Sequence, residues 1–325
     1  MNKKTKNRNI ASLTYNTEFS LVFIILGLFI ITSIFTDNFM TQYNITNLMK
    51  QCAIVGVLAV AQTFIIITGG IDISCGAIAG LSCMVLAILQ RDTELSLGVT
   101  LLAAILVGLV SGFVNGVIIY KFKIPPMIAT LGTSTVIVGI TKIISNALTV
   151  SGLDEKILAL GNSTVLGSFP VLALIWILVA IAIFLLLKYT IFGRNIYILG
   201  SGENVAKLSG IDVSKMYIAT YTLAGLLYAI AGILLAARVQ SALPTGGEGY
   251  EMNAIAAAVI GGASLSGGRG SMVGTVLGTI LMTLINNAGV QFGLNTHILE
   301  ITSGVIILFA VAFDMYRNSR LAKQK

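Results

Sequence analysis

Long apolar runs alternate with short polar breaks from one end of the chain to the other. The runs lie near residues 19–36, 51–68, 75–90, 96–119, 127–149, 170–187, 216–236, 254–263, 272–287 and 298–314. A helix that crosses a bilayer needs about 20 apolar residues, and fewer when it is half of a broken pair. The pattern therefore predicts an all-α, polytopic membrane protein. It has about ten transmembrane helices, short or broken ones included, in one transmembrane domain over residues 1–325. The eighth run, AIAAAVIGGA, is too short to span comfortably, and only GGIDIS separates the second from the third.

The first run follows Lys3, Lys4, Lys6 and Arg8 and reads EFSLVFIILGLFIITSIF. This resembles the charged and apolar regions of a signal peptide. No small-x-small cleavage site follows, and many further apolar runs do, so it is read as a retained first helix. Composition agrees: 56% of the 325 residues are hydrophobic and only 10% charged. Soluble domains carry about 25% charged residues, so this chain has too little charge to cover a water-facing surface.

The net charge of +7 is distributed as membrane orientation, not as a nucleic-acid footprint. With the N-terminus in the cytoplasm and strict alternation, that side receives 15 of the 20 basic residues, the outer side receives Lys50, Arg91, Lys156 and Arg238, and Lys142 falls inside the fifth run. An even number of crossings, with both termini cytoplasmic, follows. The cytoplasmic parts are then an N-terminal tail (1–18), a loop over 188–215 and a C-terminal tail (315–325).

Little conventional chemistry is available. No G-x-x-x-x-G-K-[ST] occurs, so the chain does not hydrolyse nucleotide through a P-loop. Cys52, Cys75 and Cys83 lack metal-ligand spacing, and the single His297 cannot build a metal site alone. No catalytic residue, metal or cofactor is predicted. Few ionisable groups fall in the apolar runs: Lys142, Glu300 and Asp314 lie near run ends and Asp72 in a break. That scarcity argues against a proton relay and for a translocator whose energy arrives through a partner on the cytoplasmic face. The polar island GSGENVAKLSGIDVSK, residues 200–215, is a plausible handle.

Several segments together resemble the permease subunits of ATP-binding-cassette (ABC) importers, in particular the ribose-type sugar permeases of the branched-chain amino acid and monosaccharide family. GENVAKLSGIDVSK is similar to that family's cytoplasmic coupling loop, matching at Asn204, Ala206, Leu208, Ser209, Gly210, Ile211, Asp212 and Val213. Val205 stands where the family usually has Ala, and Lys207 replaces a common Arg. TFIIITGGIDISCGAIAGLS, FKIPPMIATLGT, GRNIYILG and GGEGYEMNAIAAAVIGGASLSGGRGS extend the resemblance in family order. It implies a bacterial inner-membrane permease for a monosaccharide or similar small polar solute. The partners it implies are a cytoplasmic ATPase, an extracytoplasmic solute-binding protein, a second permease copy or paralogue, and membrane lipid. A permease for a sugar-like signal molecule or a branched-chain amino acid, and a stand-alone secondary transporter, are the alternatives.

Candidate residues follow. For ATPase coupling, Glu203 suits the first turn of a short helix. Val205 and Leu208 share one face, with Ala206 beside them, Gly210 closes the helix and Ile211 returns the chain to the membrane. For the pathway or a gate, Gly69 and Gly70 break the second run. Asp72 either caps a helix beginning at Ser74 or lines the pathway with it. Asn115, Asn286, Asn287 and Gln62 either hold helices together or line a route for a hydroxylated solute. Glu248 and Glu251 belong to a solvated outer loop or dock the binding protein. GGASLSGGRGS, with Arg269, is a flexible turn, a gate or a surface for the ATPase partner. ITGGIDISCGAIAGLS and VIGGASLSGGRGSMVG echo each other at an offset of 192 residues, Gly69 to Gly261.

Overall fold

The computed structural model describes residues 17–165 and 167–322. These form α1 (Thr17–Phe35), α2 (Gln42–Ile67), α3 (Cys75–Asp92), α4 (Leu97–Phe122), α5 (Pro126–Ile144) and α6 (Glu155–Asn162). A two-residue hairpin, β1 (Thr164–Val165) with β2 (Phe169–Pro170), precedes α7 (Val171–Tyr189), α8 (Ile191–Gly200) and α9 (Glu203–Leu208). The chain then runs through α10 (Val213–Val239), α11 (Tyr250–Ile260), α12 (Met272–Gln291) and α13 (Thr296–Ala322). Eight of the helices are long and apolar enough to cross a membrane, and α11 and residues 297–312 of α13 are shorter apolar helices. The ten predicted runs all have a helical counterpart.

α2 is the central post. A Thr41 side chain caps its start by accepting from Asn44 N, and 89% of its most apolar stretch is buried, against 11% for the more apolar α1. α7, α10, α11 and α12 pack around it, with Trp176 lying over Gly56, where a Cβ would collide with the indole. α4 and α10 cross at backbone contact. Gly108, Gly112 and Gly225 face one another there, and a Cβ at Gly225 would stand 3.0 Å from Gly112 Cα. Small residues let membrane helices approach this closely, which is where dispersion and Cα–H contacts are gained in lipid.

α2 and α11 end in the same way. Gly69, at φ 83°, donates to Ile66 O, while Gly70 N reaches back to Ile65 O. Gly262, at φ 96°, donates to Val259 O, while Ala263 N reaches back to Ala258 O. Both are Schellman closures, which satisfy last-turn carbonyls and need a left-handed residue. The echo therefore has a structural basis, displaced by one residue from the sequence match: Gly69 corresponds to Gly262, not Gly261.

Three boundaries differ from expectation. The 188–215 loop narrows to 190–212, because Lys188 and Tyr189 finish α7 and α10 begins at Val213. It also contains a second helix, α8, capped by Thr190 and buried at Ile196 and Leu199. Helix α13 continues through 315–322, so that stretch is not a tail, and α1 begins at Thr17 inside the predicted tail. The rest of that tail, residues 1–16, and residues 323–325 lie outside the described residues.

The two ends of the bundle separate clearly. At one, the loop 261–271 meets the start of α1, where Ser271 Oγ is 2.5 Å from Glu18 Oε1, and the far part of α13, where Leu265 N is 3.2 Å from Asp314 Oδ2. Tyr197 of α8 donates to Gly270 O at this end too. At the other, Val150 bridges Ala242, Gln90 accepts from Asp154 N, and Gln42 donates to Ser168 Oγ. The start of α1 and the end of α13 thus lie at the same end as α8 and α9, as an even number of crossings requires. Lys142, left undecided by sequence, stands 4.0 Å from Glu248 at the opposite end.

Candidate functional sites at the two ends

At the α9 end, the short helix is built as its sequence suggests. Glu203 opens it and pairs with Lys207 at 3.8 Å. Ala206 is buried against the protein, while Val205 is 47% and Leu208 91% exposed. Gly210, at φ 75°, donates to Lys207 O, and Ile211 N donates to Ala206 O, which is a third Schellman closure. Asp212 then caps α10 by accepting from Lys215 N at 3.1 Å, and that bond holds its carboxyl below the usual carboxylate range. Leu208 is thus an exposed apolar side chain on a short helix closed at its C-terminal end.

The break between α2 and α3 forms a buried polar network. Asp72 Oδ1 accepts from Ser74 N at 2.8 Å and from Ser74 Oγ at 2.5 Å. Tyr228 Oη lies 3.2 Å from Asp72 Oδ2, Asn115 Nδ2 donates to Ser74 Oγ at 2.8 Å, and Gln62 donates to Asp72 O. The break is thereby stitched to α2, α4 and α10. The expected cap is shifted: α3 begins at Cys75 with Ser74 at its N-cap, and Asp72 binds Ser74 N two residues on. Asp72, Ser74, Gln62 and Asn115 are all fully buried. They tie helices, and none of them lines the cavity at the other end. Gly69 carries the left-handed turn, and Gly70 sits where a Cβ would be 2.6 Å from Tyr221 Oη.

A cavity of about 1740 Å³ opens at the other end, among α2, α11, α12 and α13. Its wall is rich in carboxamides, including Asn44, Asn47, Gln51, Asn253, Asn286, Asn287 and Gln291. Asn44 and Asn287 exchange two hydrogen bonds, at 3.1 and 2.8 Å. Asn286 takes Asn253 and Ser303 as neighbours at 3.3 and 3.4 Å. The structure thus brings Asn286 and Asn287 to a cavity and keeps Asn115 and Asp72 away from it. The other amides were missed by sequence reading, although Asn44, Asn47 and Gln51 recur at three and four residues, the spacing of one helix face.

Glu248 borders this cavity and is exposed. Glu251 is not in a solvated loop. The chain re-enters the bundle over 240–249, and Glu251 lies in the first turn of α11, where a Cβ on Gly76 of α3 would stand 2.5 Å from its carboxylate.

The family model described as "Branched-chain amino acid transport system / permease component" matches residues 44–311, a span running from the amide wall of α2 through α9 into α13. This chain belongs to that permease family. The ribose import permease protein RbsC of Bacillus subtilis (strain 168) is 41% identical over 303 residues, covering 90% of this chain and 92% of that protein. RbsC of Escherichia coli (strain K12) is 38% identical over 293 residues, with 89% and 91% covered. The galactose/methyl galactoside import permease protein MglC of the same strain is 33% identical over 325 residues, with 95% and 97% covered. No solved structure matches the chain. As a member of this permease family, the chain is a multi-pass membrane protein of the ribose-type ABC importers, and the family implies an ATPase and a solute-binding protein as partners.

Proposed function

We propose that this permease carries a monosaccharide across the bacterial inner membrane, with energy from ATP hydrolysis in a partner that grips α9. The observation that carries the reading is the pairing of two ends: an exposed Leu208 on a capped helix at one, and an amide-lined cavity at the other. Carboxamides both donate and accept, so they replace the water around sugar hydroxyls, and Lys50, Arg238, Glu248 and Glu300 line the same cavity. The cavity is the outer vestibule, with Asn286 and Asn287 in its wall, and Glu248 on its rim meets the binding protein. Glu251, half-buried, holds α11 against α3. Asp72, Ser74 and Asn115 fix the break that Gly69 and Gly70 create. The buried lock makes the break a rigid unit able to move as one piece.

In this reading α9 lies on the cytoplasmic side, as the basic residues around it favour, and both termini lie there too. A second copy of the chain completes the translocator, and the exposed apolar faces of α1 and α4 meet lipid or that copy. Residues 1–325 act as one permease domain.

Leu208→Asp tests the coupling. The variant is expected to insert and fold as the parent does and to lose co-purification of the ATPase by about tenfold or more, since a charge would enter an apolar groove. ATPase recovered at the parent's yield, with normal stimulation by the binding protein, would remove α9 from the coupling role. Ribose and galactose uptake into proteoliposomes, with and without the ATPase, tests the class: uptake without any ATPase would favour a stand-alone transporter.

A further inference from the structure

Three segments from distant parts of the sequence meet backbone to backbone beneath α9. The C-terminal end of α8 lies against both helix breaks. A Cβ on Gly200 would overlap Ile67 O and stand 2.5 Å from Gly268 N. A Cβ on Gly267 would stand 2.6 Å from Gly200 O and 3.2 Å from Gly69 Cα. Gly268 N donates to Ile67 O at 2.8 Å, which binds the two breaks to each other and satisfies a last-turn carbonyl of α2. Tyr197 Oη, one turn back on α8, donates to Gly270 O at 3.1 Å. Beyond Gly200, Gly202 takes φ 135° and ψ 140°, a conformation open only to glycine, and α9 begins at the next residue.

We infer that this glycine junction is the point where displacement of α9 reaches both helix breaks together, with Gly200, Gly267, Gly268 and Tyr197 as positioning residues for transport. The inference rests on the coupling role given to α9 above. A side-chain contact can absorb a small displacement by changing rotamer; a contact between main chains cannot. Packed interfaces of this kind shift between discrete arrangements rather than deform gradually. The junction touches the 67–70 break on one side and the 261–271 loop on the other, and that loop also holds the start of α1 and the far part of α13. One movement of α8 therefore reaches α2, α3, α11 and α12 together.

The test uses the full chain with the ATPase and binding protein it assembles with, in proteoliposomes. Gly200→Ala forces the end of α8 away from Ile67 O, and the protein that assembles is expected to keep ATPase co-purification and basal hydrolysis while ribose uptake per ATP falls about tenfold, within the range of ordinary coupling energies. Tyr197→Phe removes one hydroxyl without changing packing and is expected to lower the same ratio less. Parental uptake per ATP in Gly200→Ala would overturn the inference while leaving α9 as the ATPase contact; failure of the Leu208→Asp experiment would remove the premise instead. A substrate-independent arm covers a Gly200→Ala protein that does not assemble. Ser201 Oγ lies 3.2 Å from the Cβ position of Gly268, and Cys52, Cys75 and Cys83 are buried and do not compete. Disulfide yield in Ser201→Cys/Gly268→Cys is expected to change about fivefold between nucleotide-free and ATP–vanadate states. An unchanged yield means that the junction does not move, and overturns the inference.

Discussion

The two ends of this permease use opposite materials. At the α9 end, Gly200, Gly267 and Gly268 bring main chain against main chain, and glycine is chosen for what it lacks. At the far end, Asn44, Asn47, Gln51, Asn253, Asn286 and Asn287 surround open space with hydrogen-bonding side chains. At Gly200 and Gly267 the first end leaves no room for an added atom, and the second is lined by groups that already exchange partners. A device that transmits displacement needs close fit. A vestibule that passes a hydrated solute needs exchangeable partners and room. The difference predicts that substitutions at the first end act through packing and cost much, whereas those at the second act through single hydrogen bonds and cost little.

The sharpest way to break that comparison is Gly274→Val. α11 and α12 cross with Gly274 against Gly261, and a Cβ on Gly274 would overlap the Gly261 carbonyl oxygen and stand 2.9 Å from its carbonyl carbon. Neither side is a flexible chain end, so the variant is expected to lose about 3 kcal/mol or more and to yield little monodisperse protein in detergent. Parental yield and thermal stability would show that the crossing can relax.

Gly69→Ala should cost less. No atom crowds the Cβ position, but φ is 83°, and a left-handed conformation costs a non-glycine residue about 1–2 kcal/mol. Thermal unfolding measures it, and Gly69→Asn should recover part of the loss because Asn accepts this conformation more readily. Equal effects of Ala and Asn would point away from backbone strain.

The Asn44–Asn287 pair sharpens the other side. A double-mutant cycle with Asn44→Ala and Asn287→Ala should return a coupling of about 0.6 kcal/mol, the usual worth of a hydrogen bond between membrane helices. A coupling near zero would mean that the two amides serve the cavity and not the helix packing.

The smallest effect concerns Asp212. Its carboxyl titrates below its ordinary value because it accepts from Lys215 N. Its contribution to the α10 cap is complete above the unfolded carboxylate range, about pH 4, and fades as pH falls through the depressed folded value. Asp212→Asn, which keeps the cap without the charge, should flatten that acid limb of the stability curve. An unchanged acid limb would show that the cap is not what titrates there.

What was legible in sequence follows from the solvent. Lipid demands runs of apolar residues and internally satisfied backbone, so the ten segments, the all-α class and the even crossing can be read without coordinates. α9 was legible for a local reason: Glu203, Leu208 and Gly210 encode start, knob and stop within eight positions. The tertiary structure alone decided which apolar helix is central. α2 and α5 look alike to hydropathy, yet 89% of one apolar stretch is enclosed and only 22% of the other, because burial depends on neighbours. It also separated the amides: Asn115 locks a break while Asn286 lines a cavity, though both are asparagines in apolar helices. Glycine shows the same limit. Gly132 and Gly139 of α5 have nothing within 4 Å of their Cβ positions, whereas Gly200 has two other segments pressed against it. A missing side chain reads identically in every sequence, and only the partner across the gap gives it a meaning.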